Sequence, residues 1–111
     1  MKFFYSHLLH HYPELLDTIE NLTLSKSEKT EAKFLIDKTI HCAVVDLLLE
    51  HLHHDHHQRI LIRINETPND PSIIQLVNHL AGKDIEIIIL EHLTRLQLNI
   101  LEDLLSEKEG D

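Results

Sequence analysis

Residues 28–52 read EKTEAKFLIDKTIHCAVVDLLLEHL, and we expect the rest of the chain to pack around this stretch. Ser25 and Glu28 have the spacing of a capping box, in which each side chain accepts the other residue's backbone N–H at the start of a helix. The stretch contains no Gly or Pro that would force a break. It therefore predicts one long helix, about Glu28 to Leu52, and we expect this helix to be the centre of the fold.

The spacing of apolar residues predicts which side of this helix is buried. One face at helical spacing consists of Ala32, Ile36, Ile40, Ala43 and Leu47. From Cys42 to Leu49 the helix is apolar nearly all round, with Asp46 as the only polar residue, so we expect cover on more than one side. Cys42 is then predicted to be a small buried apolar residue. His41 follows Asp37 by one turn, and we expect a surface pair there.

Composition favours an all-α fold. The chain has 111 residues, which predicts a single domain over 1–111. Gly and Pro are scarce, aromatic residues are few, and Leu and Ile dominate the apolar set. This composition suits helices and argues against a sandwich or barrel with many turns. We predict a compact bundle of four to five helices around the long one.

Shorter helices are predicted on both sides of the long helix. Phe3–Tyr12 has the pattern of a short helix, and Pro13 suits the first turn of the next, which carries its apolar face through about Leu22. A later helix is expected to turn Ile60, Leu61 and Ile64 inward. The stretch 65–71 is the clearest loop, after which a helix runs to about residue 80 and ends at Gly82. Asp84 is the expected cap of the last helix, 85–106, and the tail 107–111 is expected to fray.

The last helix carries two apolar stripes on a helical wheel. The first consists of Ile85, Ile88, Ile89, Leu93, Leu96, Ile100 and Leu104. The second, on roughly the opposite side, consists of Ile87, Leu90, Leu98, Leu101 and Leu105. One stripe should cover the long helix, and the second needs cover from the N-terminal helix or from a partner. We predict that the second stripe is exposed and makes a homodimer or binds a protein partner.

Residues 51–57, HLHHDHH, form a histidine-rich break after the long helix. Imidazole binds zinc, nickel and copper, but a firm site needs fixed geometry and usually a third protein ligand. We expect a solvated polar turn without a bound cofactor, with weak zinc or nickel binding as the alternative. The candidate ligands are His51, His53, His54, His56 and His57.

Charge and hydropathy exclude several classes of function. The formal net charge of −9 argues against nucleic-acid binding and against an anionic membrane surface. The N-terminus is a poor signal peptide, and no apolar run reaches the length of a membrane span. We therefore expect a cytoplasmic protein. Cys42 is the only cysteine, which excludes an intrachain disulfide or a cysteine-based metal cluster.

From about Leu22 to Leu105 the layout resembles small uncharacterised helical proteins of candidate-phyla bacteria with reduced genomes. The resemblance lies in LLLEHL at 47–52, the polar break, the amphipathic helix through Ile64, the turn at Pro71 and the long final helix. It implies an all-helical fold and brings no catalytic residues. The break in that group is usually rich in Ser or Glu, whereas here it is rich in His, which makes an inherited metal site less expected.

These observations predict a non-enzymatic helical interaction module or adaptor that self-associates or binds a partner. The alternative is a metal- or pH-responsive protein that acts through the segment from His51 to His57. A distant third is a metal-dependent phosphohydrolase of the HD type, because His54-Asp55 matches the dipeptide of that class. The remaining ligands of an HD tetrad have no clear candidates, so we predict no catalytic residues.

Overall fold

The computed structural model describes the backbone of residues 2–109 and the side chains of residues 2–106. Over these residues the chain forms five α-helices and no strand, which confirms the predicted all-α bundle. The helices are α1 (Tyr12–Glu20), α2 (Lys26–Glu50), α3 (His57–Glu66), α4 (Ser72–Ala81) and α5 (Ile85–Glu109). Two 3-10 turns, Ser6–Leu8 and His54–His56, precede α1 and α3.

The predicted capping box starts α2. Ser25 Oγ accepts the Glu28 N–H at 3.1 Å, and Glu28 Oε1 accepts the Ser25 N–H at 3.2 Å. Hydrogen bonding of the Glu28 carboxylate with the side chain and the backbone N–H of Ser25 lowers the pKa of Glu28, because it favours the charged form. The helix then runs to Glu50, two residues short of the predicted end, and its buried face centres on Ile36, Ile40 and Val44.

The long helix that contacts most of the others is α5, not α2 as the sequence analysis expected. It packs against α1, α2, α4 and the first 3-10 turn. Every fourth residue from Ile85 to Leu101 is buried, which gives α5 one continuous core-facing row: Ile85, Ile89, Leu93, Gln97 and Leu101. A row at four-residue spacing winds slowly around an α-helix, by about 40° per step, so the buried side of α5 turns as the helix passes its neighbours. The principal extents of the bundle are 48 × 24 × 21 Å.

The N-terminal segment is not the helix predicted over 3–12. It contains only the 3-10 turn Ser6–Leu8 before α1 begins. Phe4 and Tyr5 are buried, and the Phe4 N–H donates to the Pro68 carbonyl at 2.7 Å. Adjacent residues of a helix point about 100° apart. An irregular backbone allows both aromatic rings to enter the core. It also allows the Phe4 N–H to hydrogen-bond with the loop after α3.

The connections between α3, α4 and α5 follow their turn residues. Asp70 Oδ1 accepts the Ser72 N–H at 2.9 Å, and the Arg63 guanidinium donates to Asp70 at 3.2 Å. These contacts lower the pKa of Asp70, chiefly through its hydrogen bond with Ser72. Gly82 ends α4 in the left-handed conformation with a φ of 65°, as predicted. Asn78 Oδ1 accepts the Ile85 N–H at 2.7 Å at the start of α5.

Two predictions about the later helices change, one about burial and one about a helix end. The apolar face of α3 consists of Ile60 and Ile64, whereas Leu61 is 42% exposed rather than turned inward. The last helix continues to Glu109 instead of ending near Ser106. Gly110 and Asp111, the end of the tail that was expected to fray, lie outside the described residues.

Candidate functional site

The outward side of α5 carries a row of exposed apolar side chains. Ile87, Leu98 and Leu105 are 54%, 47% and 47% exposed. They lie eleven and seven residues apart, which is about three and two helical turns, so they share one side of the helix. We call these three residues the α5 outer face. Exposed apolar side chains that share one side of a helix mark that side as a candidate interaction surface.

The predicted second stripe is thus only partly exposed. Leu101 is 9% exposed and belongs to the core, and Leu90 is half-buried against it. Both residues lie on the edge of the stripe that is nearer to the core, and Leu101 is also the last member of the core-facing row of α5. Three of the five predicted interaction residues therefore remain available at the surface, and Leu90 is partly available.

A line of charged residues borders the α5 outer face on its other edge. Glu91, Arg95 and Glu102 are all exposed. Arg95 lies one turn after Glu91 and two turns before Glu102. A single positive charge therefore stands between two negative ones along one edge, while the opposite edge ends in half-buried Leu90 and buried Leu101.

Cys42 is exposed, so the prediction that it is buried is wrong. It lies on the side of α2 that faces away from the core, seven residues from Leu35 and from Leu49. Leu35 is 52% exposed and Leu49 is half-buried. The stretch that is apolar all round therefore has one side without full cover. A groove of about 430 Å³ lies beside it, with Cys42 and Asp46 among its lining residues on α2.

Two tyrosines attach the N-terminal part of the chain to α2. Tyr5 Oη lies 2.8 Å from His41 Nδ1, and the Tyr12 hydroxyl donates to the Asp37 carboxylate. The predicted pair of Asp37 with His41 is thus replaced by two pairs with tyrosines. Burial lowers the pKa of His41, and burial together with the Asp37 hydrogen bond raises the pKa of Tyr12 to about 12. Two aromatic hydroxyls seven residues apart were the only sequence signal for these contacts.

The histidine-rich segment interrupts the helical structure as predicted, and its turn brings three neighbouring side chains together. His53, His54 and Asp55 lie with one potential ligand atom each within 4.8 Å of the others, and all three are exposed. His53 caps the second 3-10 turn by accepting the Asp55 N–H through Nδ1 at 3.3 Å.

The other three histidines of the segment lie elsewhere. His57 Nε2 lies 2.8 Å from the Leu49 carbonyl and 3.0 Å from the Leu52 carbonyl, so this ring hydrogen-bonds at the C-terminal end of α2. His51 Nδ1 lies 3.2 Å from Lys83 Nζ. His56 is half-buried and is not a member of the converging group. The five predicted candidate ligands thus divide into two that converge and three that do not.

Comparisons with protein-family models, curated proteins and solved structures find no match for this chain. The resemblance to helical proteins of reduced-genome bacteria therefore stays a prediction. Within residues 2–109, no helix is long and apolar enough to cross a membrane.

Proposed function

We propose that this protein is a non-enzymatic helical interaction module that pairs with a second copy of itself through the α5 outer face. The single observation that carries the proposal is the row of Ile87, Leu98 and Leu105, each about half exposed on one side of a 25-residue helix. Pairing removes this apolar surface from water, which is favourable by roughly 25 cal/mol per Å². The protein has a single cysteine, which is compatible with the reducing cytoplasm, where thiols stay free.

The charges beside the α5 outer face favour an antiparallel pair. A two-fold axis perpendicular to two antiparallel helices brings the same edge of each helix together. When the axis passes near Leu98, Arg95 of each copy comes beside Glu102 of the other, which gives two opposite-charge contacts. Such flanking pairs set partner choice and helix orientation. In a parallel pair this charged edge would instead meet the edge formed by Leu90 and Leu101, which has no charge to match it.

The experiment is sedimentation velocity over a range of protein concentrations. We expect the wild-type chain to form a dimer, and Leu98→Glu with Leu105→Glu to leave a monomer with an unchanged helical circular-dichroism spectrum. The matched control is Leu35→Glu, because Leu35 is equally exposed but lies on α2. It should leave the dimer intact. A wild-type chain that stays monomeric at high concentration would overturn the proposal.

A charge exchange tests the antiparallel arrangement. Arg95→Glu places like charges beside Glu102 of the second copy, and we expect the dimerisation constant to weaken about tenfold, which is about 1.4 kcal/mol. The double exchange Arg95→Glu with Glu102→Arg restores opposite charges across the pair and should recover the wild-type constant. Failure of the double exchange to recover it would show that the two copies do not meet in this register.

A further inference from the structure

Three neighbouring side chains in the turn between α2 and α3 aim their ligand atoms at one another. His53 Nδ1 lies 3.3 Å from Asp55 Oδ2, and His54 Nε2 lies 3.2 Å from Asp55 Oδ1. Zinc binds imidazole nitrogen and carboxylate oxygen at about 2.0–2.2 Å in tetrahedral sites. Two ligands of such an ion are therefore about 3.4 Å apart. Each histidine nitrogen thus lies about one tetrahedron edge from a different oxygen of Asp55, and one ligand atom from each of the three residues lies within 4.8 Å of the others.

The chemistry of the three groups suits a cation between them. A neutral imidazole presents one nitrogen lone pair, and a carboxylate presents only acceptors. Lone pairs that face one another at this distance repel unless a proton or a metal ion lies between them. The net charge of −9 adds a general attraction for cations. Two imidazoles and one carboxylate form the mixed set that suits zinc, copper or nickel.

The backbone that carries these ligands is held at both ends. Leu52, just before the group, is buried, with 6% of its surface exposed. The ring of His57, just after the group, is within hydrogen-bond distance of the Leu49 and Leu52 carbonyls. The segment between them is short and includes the 3-10 turn His54–His56. Ligands on a backbone with fixed ends lose less freedom when they bind an ion than ligands on a free tail.

We propose that His53, His54 and Asp55 form a binding site for a divalent transition-metal ion of the zinc, nickel and copper class. Water fills the remaining coordination positions, because the three side chains are 61%, 79% and 70% exposed and the turn opens to solvent. His53 Nδ1 exchanges its 3.3 Å hydrogen bond with the Asp55 N–H for the ion. The site lies apart from the α5 outer face and does not depend on the proposed dimer.

The test is calorimetric titration of the full chain, without an affinity tag, with Zn²⁺ and separately with Ni²⁺. We expect one equivalent to bind, and His53→Ala or His54→Ala to weaken the binding by about tenfold or more. The matched controls are His51→Ala and His56→Ala in the same segment, which should stay within about twofold of wild type. Equal weakening by all four variants would mean diffuse binding by many histidines and would overturn the site.

Two further measurements keep the site falsifiable. Asp55→Asn retains the shape of the side chain but removes its charge, and it should weaken Zn²⁺ binding as His53→Ala does. Histidine ring signals in nuclear magnetic resonance should shift on Zn²⁺ addition for His53 and His54 before those of His57. Because all three ligands are exposed, the variants should melt within a few degrees of wild type. Unchanged Zn²⁺ binding by the His53→Ala, His54→Ala double variant would also overturn the proposal.

Discussion

The hydroxyl of Tyr5 and the imidazole of His41 lie 2.8 Å apart and join the N-terminal segment to the middle of α2. Phe3 lies against both rings, with its centroid 5.3 Å from that of Tyr5 and 4.7 Å from that of His41. Burial raises the pKa of the Tyr5 hydroxyl and lowers that of His41. Both shifts favour the neutral forms, so the contact joins an uncharged phenol to an uncharged imidazole. The attachment of this segment should therefore depend on pH.

The stability of the protein should fall as the pH decreases below about 6.5, the ordinary histidine value. The unfolded chain takes up a proton on His41 there, whereas the folded chain resists it until its lowered pKa is reached. Protons therefore favour the unfolded state through this interval. Urea unfolding at several pH values measures the free energy of unfolding. The slope of this free energy against pH should be smaller for His41→Gln than for wild type. His10→Gln changes an exposed histidine and should have less effect; an unchanged slope in His41→Gln would refute the assignment.

Both tyrosines should resist ionisation in the folded protein. The chain has two tyrosines and no tryptophan, so near-ultraviolet absorbance reports Tyr5 and Tyr12 alone. At pH 10 an unfolded chain should be about half tyrosinate, whereas the native chain should contain little, because the pKa of Tyr12 is about 12 and that of Tyr5 is also raised. A raised pKa in the folded state stabilises it below pH 10, and this contribution is lost as the pH increases toward 12.

Asp37→Asn is the specific variant for this titration. It removes the carboxylate that accepts the Tyr12 hydroxyl and whose charge also raises the pKa of Tyr5, so both tyrosines should then ionise at a lower pH than in wild type. Asp17→Asn changes an exposed carboxylate on α1 and should leave the curve in place. If native and urea-unfolded chains gave the same titration curve, the contacts of both hydroxyls would be misplaced.

The core of α2 can be tested against its own surface. Ile40 is 1% exposed and Leu35 is 52% exposed on the same helix. Ile40→Ala should lower the free energy of unfolding by about 2–5 kcal/mol, because it leaves a cavity in a close-packed interior. Leu35→Ala should change it by about 0.5 kcal/mol or less, as is usual at the surface. Denaturant unfolding measures both, and similar losses would mean that α2 faces the other way.

Local signals predicted the elements whose ends are determined by nearby residues. The Ser25–Glu28 box, Pro13 in the first turn of α1 and Gly82 after α4 each act within a few residues, so their spacing was sufficient. The break after α2 was also a local feature, because residues 51–55 contain no pattern that would continue the helix. The interactions at these ends depend little on where the other helices pack.

The choice of central helix could not be predicted, because it depends on which helices pack together. Both α2 and α5 have long apolar patterns, and the pattern does not say which one has neighbours on more sides. In the folded chain α5 has them, and α2 keeps one side open at Leu35 and Cys42. The same reason explains Phe4 and Tyr5: their burial required an irregular segment that the helical spacing of residues 3–12 did not indicate.

The candidate metal group was predictable as a segment but not as a set of ligands. His53 and His57 are four residues apart, and they would share a face only if one helix continued through both. The helix ends at Glu50, and the turn that follows directs His57 to the carbonyls at the end of α2 and leaves His53, His54 and Asp55 together. Side-chain directions in an irregular turn depend on backbone angles that sequence spacing does not report.

Gln97 is a buried polar side chain that connects α5 to the start of α1. Its exposed fraction is 0%, its Oε1 accepts the His11 N–H at 3.1 Å, and its Nε2 donates to the Leu93 carbonyl at 2.9 Å. The first bond satisfies a backbone donor at the start of α1 that no helical carbonyl can reach. An apolar side chain here would leave that part-buried donor without its partner, which costs about 1–3 kcal/mol.

Gln97→Met therefore should lower the free energy of unfolding by about 1–3 kcal/mol, although it preserves the length and volume of the side chain. The measurement is denaturant unfolding, and hydrogen exchange at the His11 amide gives a local readout that should become faster. Asn99→Met changes an exposed amide on the same helix and should alter neither quantity much. Because methionine suits a close-packed interior better than glutamine does, an increase in stability would show that apolar burial at position 97 outweighs the hydrogen bond to α1.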